Sequence, residues 1–527
     1  MPEAIMLPEI AAAQRPSAFR PLGFKRTIGR LIEEVIDLYK ADGIPWVIGY
    51  SGGKDSTATL QLVWLALSRL SPDDLRKPVH VISTDTLVEN PIVSAWVARS
   101  LERMGEQAAK VGLPLKAHRL TPEPTDSFWV NLIGRGYPAP RPKFRWCTER
   151  LKIDPSNRFI SDVVRANGEA IVVLGTRKAE SQARARSMER LEGRRVRERL
   201  SPNGKLPNSY VYTPIEDWSN DDVWVFLMQV ANPWGFDNKD LLTMYQGASS
   251  DGECPLVIDA STPSCGDSRF GCWVCTLVEK DKSMQAMISN DQEKEWMLPL
   301  LELRNELDIK DDSHLRDFRR MNGSLQLYEK RDALDKKRSE LALIPGPYLQ
   351  DVRERWLQRL LEAQQQVRVR GPEQVRSLEL ITMPELQEIR RIWVLEKHEI
   401  EDSLPSIYEA ATGERYPGPP VDDNLVIGSE EVRLLRDVCG GDRLHFETTR
   451  ELLDIERRHR SMARRAGLFK ELERALHKGF YENADDARRQ AVAKREAVEK
   501  VRSAQRDADL PLLSPLAEPQ TEEGDAA

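Results

Sequence analysis

Apolar and polar positions divide this chain into two stretches of different character. Between Phe24 and Lys40 the residues Ile28, Leu31, Ile32, Val35, Ile36 and Leu38 recur at helical spacing, which predicts an amphipathic helix. Short apolar runs follow: Trp46–Tyr50, Val79–Ser83, Leu115–Leu120 and Ala170–Leu174, each bounded by polar or turn residues. Helical patterns, Thr57–Leu70 and Pro91–Met104, separate the first three. Strands that alternate with helices predict a doubly wound, mostly parallel α/β sheet. Ligands of such sheets gather beyond the strand C-termini. Ser51–Thr57, Asp85-Thr86 and Gly175-Thr176-Arg177 all fall at those ends.

After about residue 285 the alternation stops, and the pattern becomes charged and mostly helical. Gln374–Ile400 suits one or two amphipathic helices split near Pro384, and Asn483–Asp507 a solvated helix. This predicts an extended lead-in over 1–22, an α/β domain over 23–285, a helical region over 286–482, and a charged helix with a disordered tail over 483–527. No internal repeat is found. The 527 residues carry a formal net charge of −7, so any nucleic-acid site has to be a local patch. No apolar run reaches membrane-spanning length, and the start lacks a basic segment leading into an apolar one. A cytoplasmic location is the expectation.

Ser51-Gly52-Gly53-Lys54-Asp55-Ser56 joins the first strand to a helix. Its amides and the helix N-terminus attract an anion such as phosphate, and the glycines let the chain fold tightly around it. Lys54 adds a cation, and Ser51, Ser56 and Thr57 add hydroxyls. Walker A spacing is absent, because Asp55 follows Lys54 where that motif needs Ser or Thr. Arg177 belongs in the same crevice, where a guanidinium holds phosphate oxygens in a fork.

Cysteine use is uneven. Cys147 stands alone, Cys254, Cys265, Cys272 and Cys275 cluster, and only Cys439 is remote. Cys272 and Cys275 form a C-x-x-C whose thiolates suit one metal centre, and earlier cysteines would complete a four-sulfur shell. Zinc and a [4Fe–4S] cluster both accept that shell, and spacing does not decide between them. No strand–CxxC–helix pattern supports a thioredoxin-like pair. With five thiols for four ligand places, one is free to carry sulfur as a persulfide. Cys254, farthest from the C-x-x-C among the clustered four, is the candidate. Two basic stretches complete the inventory: Arg135–Lys152 around Cys147, and Arg184–Arg199 after the fourth strand.

The loop Ser51–Ser56 resembles the PP-loop of the ATP pyrophosphatase superfamily. Taken in order with Asp85-Thr86, Cys147-Thr148, Leu151-Lys152, Gly175-Thr176-Arg177, Glu180-Ser181 and Arg184, it is similar to the PAPS reductase-like branch. Adding Pro214–Trp218, Asp222–Trp224 and Cys265–Cys275 gives a pattern that looks like the DndC family, sulfurtransferases of bacterial DNA phosphorothioation. The resemblance covers about residues 25–285. It implies ATP bound by Ser51, Gly52, Gly53, Lys54, Asp55, Ser56, Asp85, Thr86, Gly175 and Arg177. It also implies ATP pyrophosphatase activity and a [4Fe–4S] cluster on Cys147, Cys265, Cys272 and Cys275. Sulfur would come from a cysteine desulfurase, DNA would be the substrate, and DndD and DndE would be partner subunits. Lys54, Asp55, Arg177 and Cys254 are the catalytic candidates, and Mg²⁺ on Asp55 or Asp85 would help to balance the pyrophosphate charge. The alternatives are a sulfonucleotide reductase, a tRNA thiolase, and a non-catalytic ATP- and zinc-binding DNA scaffold. Against the first, those reductases rely on a reactive cysteine in the C-terminal tail, and Ala508–Ala527 has none.

Overall fold

The structure is a computed structural model, and it describes residues 17–248, 270–331, 339–419, 426–460, 462 and 464–508. The expected alternation is present in the order α1 (Phe24–Lys40), β1 (Trp46–Gly49), α2 (Lys54–Leu67), β2 (Val79–Thr84), α3 (Pro91–Val111) and β3 (Leu115–Leu120). Then come α4 (Asp154–Asn167), β4 (Ala170–Val173), α5 (Gln182–Glu192), β5 (Ser201–Pro202), β6 (Ser209–Tyr212), α6 (Asn220–Gln229) and α7 (Asn238–Gly247). The sheet order is β3-β2-β1-β4-β6-β5, parallel throughout except for the antiparallel β5–β6 edge.

The central part of the sheet is covered on both faces, which explains the continuous apolar runs of β1 and β4. On β1, Trp46 and Ile48 join a core with residues of α1, α2, α3 and α6. Val47, between them, points to the opposite face and packs with Ile160 and Val163 of α4. Strands β5 and β6 escaped the sequence pattern because they are short and half-polar; β5 is a two-residue edge.

Helix α2 begins at Lys54 rather than at the expected Thr57. Gly53 is extended (φ −83°, ψ 166°) and acts as the cap, and Thr57 N donates to Gly53 O at 3.0 Å. Lys54, Asp55 and Ser56 therefore form the first helical turn, whose amides have no partner within the helix.

Two compact units make up the chain. The first joins Met1–Asp311 with Gln350–Trp393 and Ser403–Pro419. Besides the sheet it holds α8 (Lys282–Asn290), α9 (Leu298–Leu307), α10 (Gln350–Arg370), α11 (Met383–Arg391) and α12 (Leu404–Thr412). Pro384 does not split a helix here but lies in the first turn of α11, where its missing N–H is harmless. The preceding residues run non-helically and bury Leu380 and Ile381, with Leu380 N donating to Gln364 Oε1 at 2.7 Å. Indole N–H groups tie these helices to the sheet domain: Trp129 donates to Leu380 O at 2.8 Å and Trp393 to Ile133 O at 3.0 Å.

The second unit comprises Asp312–Leu349, Val394–Asp402 and Pro420–Ala527. It contains an antiparallel hairpin, β7 (Leu327–Arg331) with β8 (Ser339–Leu343), that the helical reading of this region missed. Helices α13 (Ser429–Val438), α14 (Arg443–Arg460), α15 (Leu468–Gly479) and α16 (Ala484–Ala508) complete it. As the charge pattern of 483–507 foretold, α16 is a largely exposed helix; the Asn483 side chain accepts from Asp485 N and Asp486 N, both at 3.0 Å. Among the described residues no helix is long and apolar enough to cross a membrane.

Candidate active site

Strand order reverses between β1 and β4, and a cleft of about 940 Å³ opens at their C-terminal ends. The 51–56 loop forms its floor. Gly52 has φ +73°, and a Cβ there would lie 2.4 Å from Val97 Cγ2, so both conformation and space require glycine. Gly175 is held as tightly from the other side: a Cβ would come within 2.7 Å of Asp55 O. Ser51 N donates to Ser56 Oγ at 3.1 Å, and the Ser56 hydroxyl reaches Gly53 O at 3.0 Å. A loop closed this way at the start of a helix suits a polyphosphate.

Lys54, Asp55 and Arg177 form one charged set. Arg177 is 4% exposed; its Nε donates to Asp55 Oδ1 at 2.6 Å and its Nη1 to Trp218 O at 3.2 Å. Lys54 Nζ lies 3.5 Å from Asp55 Oδ2 and 5.3 Å from the centre of the Tyr245 ring. Burial pulls the Lys54 ammonium below the usual lysine range, against the opposing pull of Asp55. Arg177 thus fixes the first turn of α2 to the end of β4 while lining the cleft. Asp85 accepts from Arg119 Nε at 3.0 Å, Ser94 Oγ at 3.1 Å and Leu87 N at 2.8 Å. With Asp55 and Asp85 both engaged, a magnesium ion on either would have to displace a cation or a donor.

On the cleft rim, the C-x-x-C segment runs across the loop after β2. Trp273 N donates to Val88 O at 2.9 Å, Asn90 N to Gly271 O at 3.3 Å, and Cys275 N closes a turn onto Cys272 O at 3.1 Å. Thr86 Oγ1 lies 3.4 Å from Cys272 Sγ, and Glu89 Oε1 3.7 Å from it. Lys152, which follows Cys147 by five residues, pairs with the same Glu89 oxygen at 3.1 Å. Burial and Glu89 push the Cys272 thiol up to about 12. Burial, above all, also raises Cys147. Burial alone would lower Lys152, but Cys272 and Glu89 outweigh it and hold the ammonium above the lysine range.

Cys147, far upstream in sequence, thus lies close enough to Cys272 and Cys275 for its charge to act on theirs. Among the described residues no group of three or more His, Cys, Asp or Glu has the geometry to hold a metal ion. Cys254 and Cys265 lie outside the described residues. Cys439 is buried in the second unit with Val432 and Phe446.

Sequence reasoning missed three contributors to the site. Tyr245, whose hydroxyl is 3.4 Å from Lys54 N, and Phe270, whose ring packs on Tyr245 at 4.7 Å, carry no local signal. Neither does Arg304, which is 1% exposed: it donates to Cys275 O (2.9 Å), Glu279 O (3.1 Å) and Val278 O, and pairs with Asp308 at 3.1 Å. One buried guanidinium therefore shapes the segment after the C-x-x-C. Arg304→Met is expected to lower stability by about 3 kcal/mol in denaturant unfolding, because buried carbonyls lose a charged donor. Arg304→Lys should restore part of that loss.

Of the two basic stretches, the second is mostly consumed by ion pairs. Arg195 pairs with Glu216 at 3.1 Å, Arg197 with Asp42 at 2.7 Å and Arg199 with Glu34 at 2.9 Å. In the first, Arg150 pairs with Asp126 at 2.5 Å.

Comparison with known proteins matches this architecture. Residues 45–234 match the phosphoadenosine phosphosulfate reductase domain family, so this segment is PAPS reductase-like. A protein of Methanocaldococcus jannaschii, itself uncharacterized, is 27% identical over 262 residues, 47% of this chain. The chain spans 42% of that relative's length. Two solved structures are also similar. U34-tRNA thiolase from Methanococcus maripaludis, with its [4Fe-4S] cluster, is 15% identical over 55% of this chain and 80% of its own (TM-score 0.27). Candida glabrata FMN adenylyltransferase, in complex with FAD and pyrophosphate, is 13% identical over 43% and 62% (TM-score 0.24).

Proposed function

We propose that this protein is an ATP-dependent sulfurtransferase that replaces a non-bridging oxygen of a DNA phosphodiester by sulfur. The observation that carries the reading is the joining of two sites through one carboxylate. Glu89 lines the nucleotide cleft, touches Cys272, and pairs with Lys152. A nucleotide-activating loop and a thiol cluster so joined suit a reaction in which activation and sulfur transfer share one substrate atom.

A phosphodiester oxygen is a poor leaving group. In the first step it attacks the α-phosphorus of ATP, and pyrophosphate departs. In the second, hydrosulfide attacks the DNA phosphorus; the P–S bond forms, the bond to AMP breaks, and AMP leaves with the original oxygen. The 51–56 loop and Lys54 would bind the polyphosphate and balance the charge that develops on pyrophosphate. Arg177 would hold Asp55 and the loop in place for that role. Cys147, Cys272 and Cys275, with Cys265, would hold a [4Fe–4S] cluster. An all-sulfur shell suits this region, since none of the chain's seven His lies between His118 and His314. When bound, such a cluster supplies a site at which sulfide is kept reactive. Sulfur would arrive from a cysteine desulfurase as a persulfide, and a second thiol would release it as hydrosulfide, leaving a disulfide.

The test is mass spectrometry of nuclease-digested DNA from cells with and without the gene. A sulfur-containing dinucleotide present only with the gene is the expected result. Sulfur found in tRNA instead would move the assignment to the tRNA thiolases.

A further inference from the structure

We infer that the turn Arg141–Arg145, with the adjoining surface of the C-x-x-C loop, is the docking surface for the nucleic-acid backbone. The inference deepens the proposed reading, on which it rests for the class of polymer. The turn is closed by reciprocal bonds: Phe144 N donates to Arg141 O at 2.8 Å and Arg141 N to Phe144 O at 3.2 Å. At its tip Lys143, Phe144 and Arg145 are all exposed, Phe144 by 46%. Cys147 follows two residues later.

Two further segments converge here. Thr276 Oγ1, next to Cys275, donates to Pro140 O at 2.7 Å, and Arg141 reaches Ile309 O at 3.5 Å. Lys280 and Lys310, on these two segments, are both exposed, and Lys310 pairs with Glu279 at 3.6 Å. Within the basic stretch around Cys147, the structure sorts the residues by use. Arg150 and Lys152 are held in ion pairs with Asp126 and Glu89. Lys143 and Arg145 stand in solvent.

A cation, an aromatic ring and a cation in succession on a pinned turn suit a phosphodiester strand. The two charges meet phosphates, and the ring lies against a base or sugar between them. A protein partner would call for a continuous apolar patch, whereas Phe144 and Val278 are the large apolar residues exposed on these segments. The chain's net charge of −7 makes this positive surface a local feature that steers an anionic polymer to the thiol-bearing rim.

The experiment measures binding of the full-length protein to a fluorescein-labelled DNA duplex of mixed sequence, by anisotropy over a series of salt concentrations. The double variant Lys143→Ala/Arg145→Ala is expected to bind more weakly at every sequence, with a salt slope lower by about 2. Phe144→Ala should weaken binding about tenfold with the slope unchanged. The charge-keeping pair Lys143→Arg/Arg145→Lys should retain the wild-type slope, which separates lost charge from lost fold; circular dichroism checks the same point. Wild-type affinity and slope in the double variant would overturn the surface assignment while leaving the DNA reading intact. No DNA binding by the wild-type protein would overturn the DNA reading itself. Unchanged DNA binding with lost binding of the sulfur-donor protein would make the turn a protein dock instead.

Discussion

Lys54→Ala is expected to slow release of pyrophosphate from ATP by about 10²–10³-fold, the usual cost of removing one preorganised charge partner from a developing anion. Lys54 is mostly buried beside the loop amides, with the Tyr245 ring at 5.3 Å, so no mobile neighbour replaces it. The structure makes Asp55 a different case. Its carboxylate pairs with buried Arg177, and Asp55→Ala would leave that guanidinium without its charge partner. Asp55→Asn keeps the shape and an acceptor, so it separates loss of activity from loss of fold. The measurement is a coupled pyrophosphate assay with product analysis. AMP is the expected co-product, and formation of ADP and orthophosphate would place the enzyme in another class. A Lys54→Ala protein that releases pyrophosphate at the wild-type rate would show that the nucleotide is bound elsewhere.

Cys272→Ser is expected to remove most of the iron and acid-labile sulfide from protein purified without air, together with its broad visible absorption. Cys272 is fixed by Thr86 at 3.4 Å and by the Trp273–Val88 backbone bond at 2.9 Å. Serine fits there with little change in volume, so the fold should persist. The same substitution at Cys147, Cys265 or Cys275 should act alike. At Cys439, in the second unit, it should leave iron unchanged. Full retention of iron and sulfide in Cys272→Ser would refute the ligand assignment, and stoichiometric zinc in place of iron would favour the scaffold alternative.

Much of this was legible in the chain because it depends on local rules. Trp46–Tyr50 followed by two glycines and a helical pattern announces a strand, a tight turn and an anion-binding helix start, whatever surrounds them. β1 and β4 are apolar throughout, and their burial on both faces makes such runs recognisable, whereas β2 and β3 carry His80, Lys116, His118 and Arg119 among their apolar positions. Short, half-polar β5 and β6 carry no such signal; pairing of β6 with β4, and of β5 with β6, makes them strands. The β7–β8 hairpin was hidden for the same reason, since Tyr328, Glu329 and Lys330 read as solvated in any conformation.

The sequence by itself determined the chemistry available: a PP-loop, Arg177, a C-x-x-C and a lone upstream cysteine. Tertiary structure alone decided which of these groups act on each other. It bound Arg177 to Asp55 and brought Cys147 beside Cys272 and Cys275. It placed Tyr245 under Lys54, and it set Arg304, from a helix with no motif, against the carbonyls after the C-x-x-C. It also divided one basic stretch into ion-paired residues and a turn that exposes Lys143 and Arg145, and it built Gln350–Trp393 into the unit that contains the sheet. The physical reason is common to all of these. Charge pairs, thiol clusters and helix packing depend on distances through space, and periodicity along the chain carries no record of them.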